Sequence, residues 1–586
     1  MMAKRPGLLW LFFLLSMGGL SAQISPSGVS APATQDTAKY VHIRNAEKIT
    51  FDRSDSATNK EIIVGKVIMQ QGKTLFYCDS AVKDNITNEV QAFGNIHIND
   101  ADSVHTYAQY LRYDGNSRIA RLTKKVKLTD GKGVLTTEEL EYDLNAKMGT
   151  YLNGGKVVNQ KSVLTSKEGY YYADTREVFF KQDVKLTDPE YTMATDTLLY
   201  SIDTETATFM AATTINDGKS TIRTRSGFYD LKNGKASLGN RPVIEDSTQQ
   251  IIAEKIDYDK ASGEGLAEGN VLYRDTAQGV TILAGITNFN SNAKKVMATR
   301  KPLMILKQDN DSIFIAADTL LSVMTVNAPP DTTQKKPPAG LDSAALTGAT
   351  DPRSITDSLS AGIPINPATK DSTGIKITGL VATDSITGTK TLDLAETDSI
   401  RLFLAYRHVR IFSDSVQGVC DSLSYSSKDS VFRFFKEPVL WATEAQVTGD
   451  TIYMFTKNKK PDQILVFENG FSISRTPESY FNQIRGNRLN GHFVDGNIDY
   501  MRAKGNAESV YYLQDKDSAY IGMNYARADA ITMYFVQKEL KRVAWVNGVE
   551  GTTYPFKQIP EDRKQLRNFS WQYDRRPKSR YELFED

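Results

Sequence analysis

Cysteine, tryptophan and histidine are scarce in this chain of 586 residues, which holds two, four and five of them. Two cysteines cannot build a disulfide framework, and five scattered histidines give little material for a metal centre. Charge of one sign is missing too: 71 Lys and Arg stand against 70 Asp and Glu, a net charge of +1. A balance that close excludes the bulk electrostatic footprint of a nucleic-acid binder or of a protein held on an anionic membrane surface. Beyond residue 20 no apolar run is long enough for a membrane-spanning helix. No nucleophile elbow, phosphate loop or HExxH word occurs. We therefore expect no catalytic residue, no cofactor and no metal, and a protein that is not an enzyme.

Two local features invite a chemical reading and lose it. His97 and His105 flank Asp100 and Asp102 in "HINDADSVH", yet those acids fall in a turn between two strands, where Asp and Asn are expected for backbone reasons. Cys78 and Cys420 occupy the same word, "CDSAV" and "CDSLS", where other copies hold Thr195, Ala317 or Gly449. A small, semi-apolar filler at a repeat position accounts for both cysteines. A bridge between them is left open, because sequence does not report the approach of two backbones.

What the chain does have begins at its N-terminus. "MMAKRPGLLWLFFLLSMGGLSAQ" runs from a basic start (Lys4, Arg5) through an apolar stretch, Leu8 to Leu15, to a small-residue exit at Ser21-Ala22. That is the form of a secretory signal peptide over residues 1–22. The mature protein is expected to be exported.

The main feature is repetition. The tyrosine closing each Leu-x-Tyr-like word recurs at Tyr113, Tyr142, Tyr171, Tyr200, Tyr229 and Tyr258, five successive intervals of 29 residues. A second word, Gly-[Asn/Lys]-[Val/Ile], recurs at Gly65, Gly94, Gly155 and Gly269. Within each copy apolar and polar residues alternate. In "TEELEYD" Leu140 and Tyr142 take one face and Glu139 and Glu141 the other; in "AEKIDYD" Ile256 and Tyr258 oppose Lys255 and Asp257. This is half-buried strand patterning, punctuated by turn words such as "TDGKG" and "LKNGK". Gly169, Gly227, Gly285 and Thr287 interrupt the inward ladder. Small residues there leave space for a groove or admit close sheet packing, and the groove is the reading we favour.

Composition changes between residues 325 and 398. No aromatic residue lies between Phe314 and Phe403, and seven of the 19 prolines fall between 329 and 367. Such a stretch cannot bury enough apolar surface to offset its ordering entropy, so it reads as a disordered linker or a long excursion. The pattern then returns in "CDSLSYS" and "VTGDTIYMF". The expected organisation is a first β region over 40–324, the linker over 325–398, a second β region over 399–556 and a charged, solvated tail over 557–586.

"DVKLTDPEYTMATDTLLYSIDTETATFMA" (183–211), "EGNVLYRD" (268–275), "GNIHIND" (94–100) and "AEKIDYD" (253–259) together resemble the OstA family, the periplasmic lipopolysaccharide-transport proteins of LptA type and the N-terminal domain of LptD. The resemblance covers about residues 45–322 and, more weakly, 400–550. It implies an all-β, repeat-built, twisted open β-jellyroll, elongated, here in two β regions joined by the linker. It implies an apolar interior that carries acyl chains with no bond chemistry. The lipid-binding ladder would be Leu111, Tyr113, Val126, Leu128, Leu140, Tyr142, Val184, Leu186, Leu198, Tyr200, Ile256 and Tyr258. The implied partners are lipopolysaccharide or a similar glycolipid, and other transport components or the protein itself, met by end-to-end strand pairing. The implied location is the periplasm, with outer-membrane association as its extension. The alternatives are a structural or adaptor β-solenoid of the envelope and, third, a β-helical polysaccharide lyase. The lyase would need acids and bases gathered on one exposed sheet, whereas the charges are spread evenly.

Overall fold

The computed structural model describes residues 41–54, 59–307, 312–326, 399–458, 460–537 and 539–584. The expected leader and nearly all of the expected linker lie outside them, although Thr325 and Val326 close a strand, Thr319–Val326. Among the described residues there are forty β-strands, short 3-10 turns near the C-terminus and no α-helix, so the all-β expectation holds. No helix there is long and apolar enough to cross a membrane.

The chain divides into two compact units, residues 1–247 and 248–586. The proline-rich segment does not mark that division. Thr319–Val326 and Ser399–Phe412, on either side of it, pair directly from Thr319↔Tyr406 to Val326↔Ser399. The segment is therefore an excursion that leaves and re-enters one ladder inside the second unit.

In the first unit four of the long strands, Lys60–Gln71, Glu89–Asp100, Ile119–Thr129 and Glu177–Thr187, each bend once at a shared kind of corner. The bend is a two-residue corner with positive φ, at Gly65–Lys66, Gly94–Asn95, Lys124–Lys125 and Gln182–Asp183. The ladder slips register at each one, between Val64 and Val67, Phe93 and Ile96, Thr123 and Val126, and Lys181 and Val184, which is how a bulge turns a sheet. The Gly-[Asn/Lys] word marks this corner at Gly65, Gly94 and Gly269. Gly155 is an exception, for it has no positive φ and lies instead against the ring of Tyr151.

An acid on or next to the adjoining strand holds three of these four corners. Asp79 accepts from Asn95 Nδ2 at 2.9 Å, Glu47 pairs with Lys66 at 3.7 Å, and Glu168 accepts from Gln182. The second unit repeats the device with Glu254 and Asn270, Asp450 and Asn469, and Asp421 and Lys436. At the opposite ends of the strands Asp114 and Asp143 cap tight turns through their Oδ1 atoms. The asparagine two residues later reaches the preceding copy: Asn116 Nδ2 donates to the Thr87 carbonyl at 2.8 Å and Asn145 Nδ2 to that of Ser117 at 2.9 Å. Period in the sequence thus becomes stacking in space.

The Lys124–Lys125 corner carries a testable strain. An L-residue in the left-handed region costs about 1–2 kcal/mol, which glycine avoids. Both lysines are exposed, so Lys125→Gly should raise the stability of the first unit by up to about 1 kcal/mol, while Lys125→Val should lower it by at least as much. Denaturant midpoints read both, and a lower midpoint for the glycine variant would refute the strained corner.

The second unit has its own inward row, paired strand to strand: Ala405, Leu423, Phe434, Ile452, Val466, Leu489, Ala503 and Ile531. None is more than 4% exposed. At the re-entry of the chain Arg401 is buried against Asp275, N to O 2.6 Å, with side chains 3% and 2% exposed. Its Nη1 also donates to Ser322 Oγ at 2.9 Å. The tail corrects the expectation of a solvated segment, since Leu566 and Leu583 are 4% and 3% exposed and Leu566 joins a core cluster of this unit.

Candidate functional site

The twelve ladder residues point as their alternation requires. Leu111, Tyr113, Val126, Leu128, Leu140, Tyr142, Val184, Leu186, Leu198 and Ile256 are buried; Tyr200 and Tyr258 are half-buried. In the first unit the tyrosines form one continuous cross-strand row in which each alternates with a smaller residue. Tyr113 pairs with Ala120, Ala120 with Tyr142, Tyr142 with Gly149 and Gly149 with Tyr171. The row continues through Val178, Tyr200, Ala207 and Tyr229 to Ala236. In the second unit Tyr258 pairs with Gly265, and Gly265 with Phe289.

The smaller residues lie seven positions after each tyrosine, a signal in the sequence that our reading missed. They exist because a wide aromatic ring on a pleated surface needs room on the neighbouring strand. The three glycines expected to leave a groove stand elsewhere, and each is closely packed. A methyl group on Gly169 would overlap the ring of Tyr151, one on Gly227 the carbonyl of Ser237, and one on Gly285 the side chain of Arg300. At these three positions the reading of open space is replaced by close packing.

Tyrosine tips cross the interior to the turns of the facing layer. Tyr142 Oη donates to Asp100 Oδ2 at 3.3 Å, and Tyr113 Oη to Gln71, in each case 42 residues earlier. Burial raises the phenols of Tyr113 and Tyr171 to about 12, so they stay neutral donors at physiological pH. Asp100 also accepts from Thr74 Oγ1 at 2.8 Å, and Asp102 is tied to Asn99. Those bonds account for the two acids beside the histidines. His97 and His105 meet ring to ring, nitrogen to nitrogen 3.1 Å, and His97 stacks between Tyr77 and Tyr107. Burial first, then the charge of His105, holds the His97 imidazole below its ordinary range. Among the described residues no three His, Cys, Asp or Glu side chains gather as metal ligands would. Cys78 and Cys420 are free and buried, and burial pushes both thiols up to about 12.

One apolar cavity of about 50 Å³ remains between the layers of the first unit. Leu128, Leu135 and Val157 line it from one side, and Gly149, Tyr171 and Val178 from the other. A methyl group built on Gly149 would sit 3.5–3.7 Å from Tyr142, Leu128 and Leu140. That is ordinary contact distance, so here the small residue does leave room.

A stack of bent antiparallel hairpins, with an inward apolar row and acid-held corners, defines the class: a repeat-built β protein whose candidate site is its own interior. Residues 38–196 match the family model described as OstA-like protein, and this part of the chain is OstA-like. That agrees with the resemblance read from the repeats; the family matched is of the lipopolysaccharide-transport type and periplasmic in general. No curated protein matches the chain.

Proposed function

We propose that the protein binds and passes a glycolipid, lipopolysaccharide or one like it, across the periplasm, with the acyl chains between the two layers of the first unit and the sugar headgroup in water. The observation that carries this reading is the cavity between Leu128, Leu135 and Val157 and the Gly149–Tyr171–Val178 stretch, lined mostly by apolar residues with Asp130 as its one charged neighbour, and lying, Ile202 apart, within the OstA-like segment. No bond chemistry is needed; burial of acyl methylenes at about 0.8 kcal/mol each supplies the affinity. The strands His42–Asn45 and Lys48–Asp52 both lie along Lys60–Gln71, and Ile49 and Phe51 beside that edge are 42% and 62% exposed. An edge of that kind suits strand addition by a transport partner or a second copy.

The second reading, a structural envelope solenoid, is favoured by the Tyr151 ring lying where Gly169 was expected to leave a gap. Lipid capture separates the two. A photo-crosslinking residue at Leu128 or Leu135 should capture glycolipid in cells, while the same residue at Lys127 or Glu141, on the other face, should not. Circular dichroism first establishes that each variant is folded. Lipid extracted from the purified protein should contain the same species by mass spectrometry. Equal capture on both faces, or no lipid in either experiment, would leave the row as ordinary core and hand the case to the structural reading.

A further inference from the structure

The outer face of the second unit carries a row that a solvated sheet would not. Running from strand to strand it reads Gln417, Trp441, Gln446, Ile473, Gln483 and Val510. All six are buried; the three glutamines are 5%, 1% and 1% exposed. Two residues along the same strands this face bears Arg485 and Glu508, paired at 3.6 Å and partly exposed, so it is the water side of the sheet. What covers the row is the chain's own C-terminus.

The covering is made in one repeated way. Gln483 Nε2 donates to the Lys564 carbonyl and its Oε1 accepts from the Leu566 N–H, both at 2.8 Å. Gln446 does the same six residues on, donating to the Ser570 carbonyl at 2.8 Å and accepting from the Gln572 N–H at 2.7 Å. A carbonyl and the N–H two residues later are the groups that a neighbouring strand would bond, and each glutamine amide takes that strand's place. The third glutamine, Gln417, accepts two bonds from the Arg576 guanidinium at 2.9 and 2.6 Å. Apolar side chains of the tail reinforce these bonds: Leu566 is buried in one cluster with Ile473 and Val510, and Ile559, Phe569 and Trp571 pack against it.

We propose that this row is a binding face for an extended polypeptide, read through its backbone, and that residues 559–584 are its resident ligand: a detachable strap that conceals an interaction surface. A face meant to stay closed would be built at lower cost from leucines, because a buried amide that loses its hydrogen bonds is destabilising. Glutamines can exchange the strap for water or for another chain and stay satisfied. Tethering favours the closed form. At the roughly millimolar effective concentration of a short tether, a segment of about 10 μM intrinsic affinity would be docked about 99% of the time. A competing segment must therefore bring its own aromatic and arginine contacts or meet a chain whose strap has been cut.

The test starts from the folded full chain. A specific protease site is placed at the exposed Lys557–Gln558 step, and the purified protein is cleaved after folding. Fluorescein-labelled peptide of residues 559–584 should then bind the cleaved protein, with raised anisotropy, while the uncleaved protein and a scrambled peptide give none. Gln446→Leu with Gln483→Leu should weaken uptake at least tenfold. A cleaved protein that keeps its strap and takes up no peptide in excess would overturn the proposal. So would equal binding by the double-leucine variant; if that variant fails to fold, comparison with the scrambled peptide still decides.

Discussion

Asp275→Ala should cost the second unit about 3–5 kcal/mol, because it leaves the Arg401 guanidinium buried without its counter-charge. The pair is almost fully removed from water, at 3% and 2% exposure, so salt in the buffer should change the effect little. Removing both charges together, as Asp275→Leu with Arg401→Met, should cost less than the single change. The desolvation penalty then disappears along with the attraction. Denaturant midpoints of the three proteins decide it. A single variant within about 1 kcal/mol of the parent, or a double variant worse than the single, would refute the account. The location gives the pair its importance: Arg401 stands just after the excursion and is bonded to Ser322 just before it.

The second large effect is a contrast between two glycines of the inward face. Gly169→Ala should destabilise by about 1–3 kcal/mol, since the new methyl must displace the buried Tyr151 ring and its 2.6 Å bond to Ser166. Gly149→Ala, whose methyl meets its neighbours at 3.5–3.7 Å, should stabilise by about 0.4–1 kcal/mol through the unfolded chain. The same two variants bear on the lipid. Filling the cavity at Gly149 should lower glycolipid capture while the protein becomes more stable, a combination that mere core packing does not produce. Gain of stability with unchanged capture would place the lipid elsewhere.

Much of the fold was legible because a period of 29 residues and an alternation of two are both carried by side chains in plain sequence order. Tyr113 to Tyr258 gave the repeat, and Leu140 with Tyr142 gave the face. The rest was hidden where the partner is distant or the backbone is unusual. Lys124–Lys125 bends the chain as Gly94–Asn95 does, yet no glycine announces it. The corner acids gave no signal in the sequence because their partners are distant; Asn95, the partner of Asp79, lies 16 residues on. The glycine gaps could not be assigned from sequence, since only the cross-strand register puts Tyr151 over Gly169. The tail looked solvated because its apolar anchors, such as Leu566 and Trp571, are spaced among many charges, and because part of its attachment uses its own backbone, which carries no compositional signature.

The asparagine bonds from one copy to the copy before it also make length a discrete variable. A 29-residue copy adds two strands to a layer, and strands in a sheet stand about 4.8 Å apart. Gain or loss of a copy therefore moves the end of the stack by about 10 Å while every corner, turn and tyrosine keeps its partners. A protein built this way can be refitted to a wider or narrower gap by duplication or deletion inside its gene, in fixed steps, like links added to a chain.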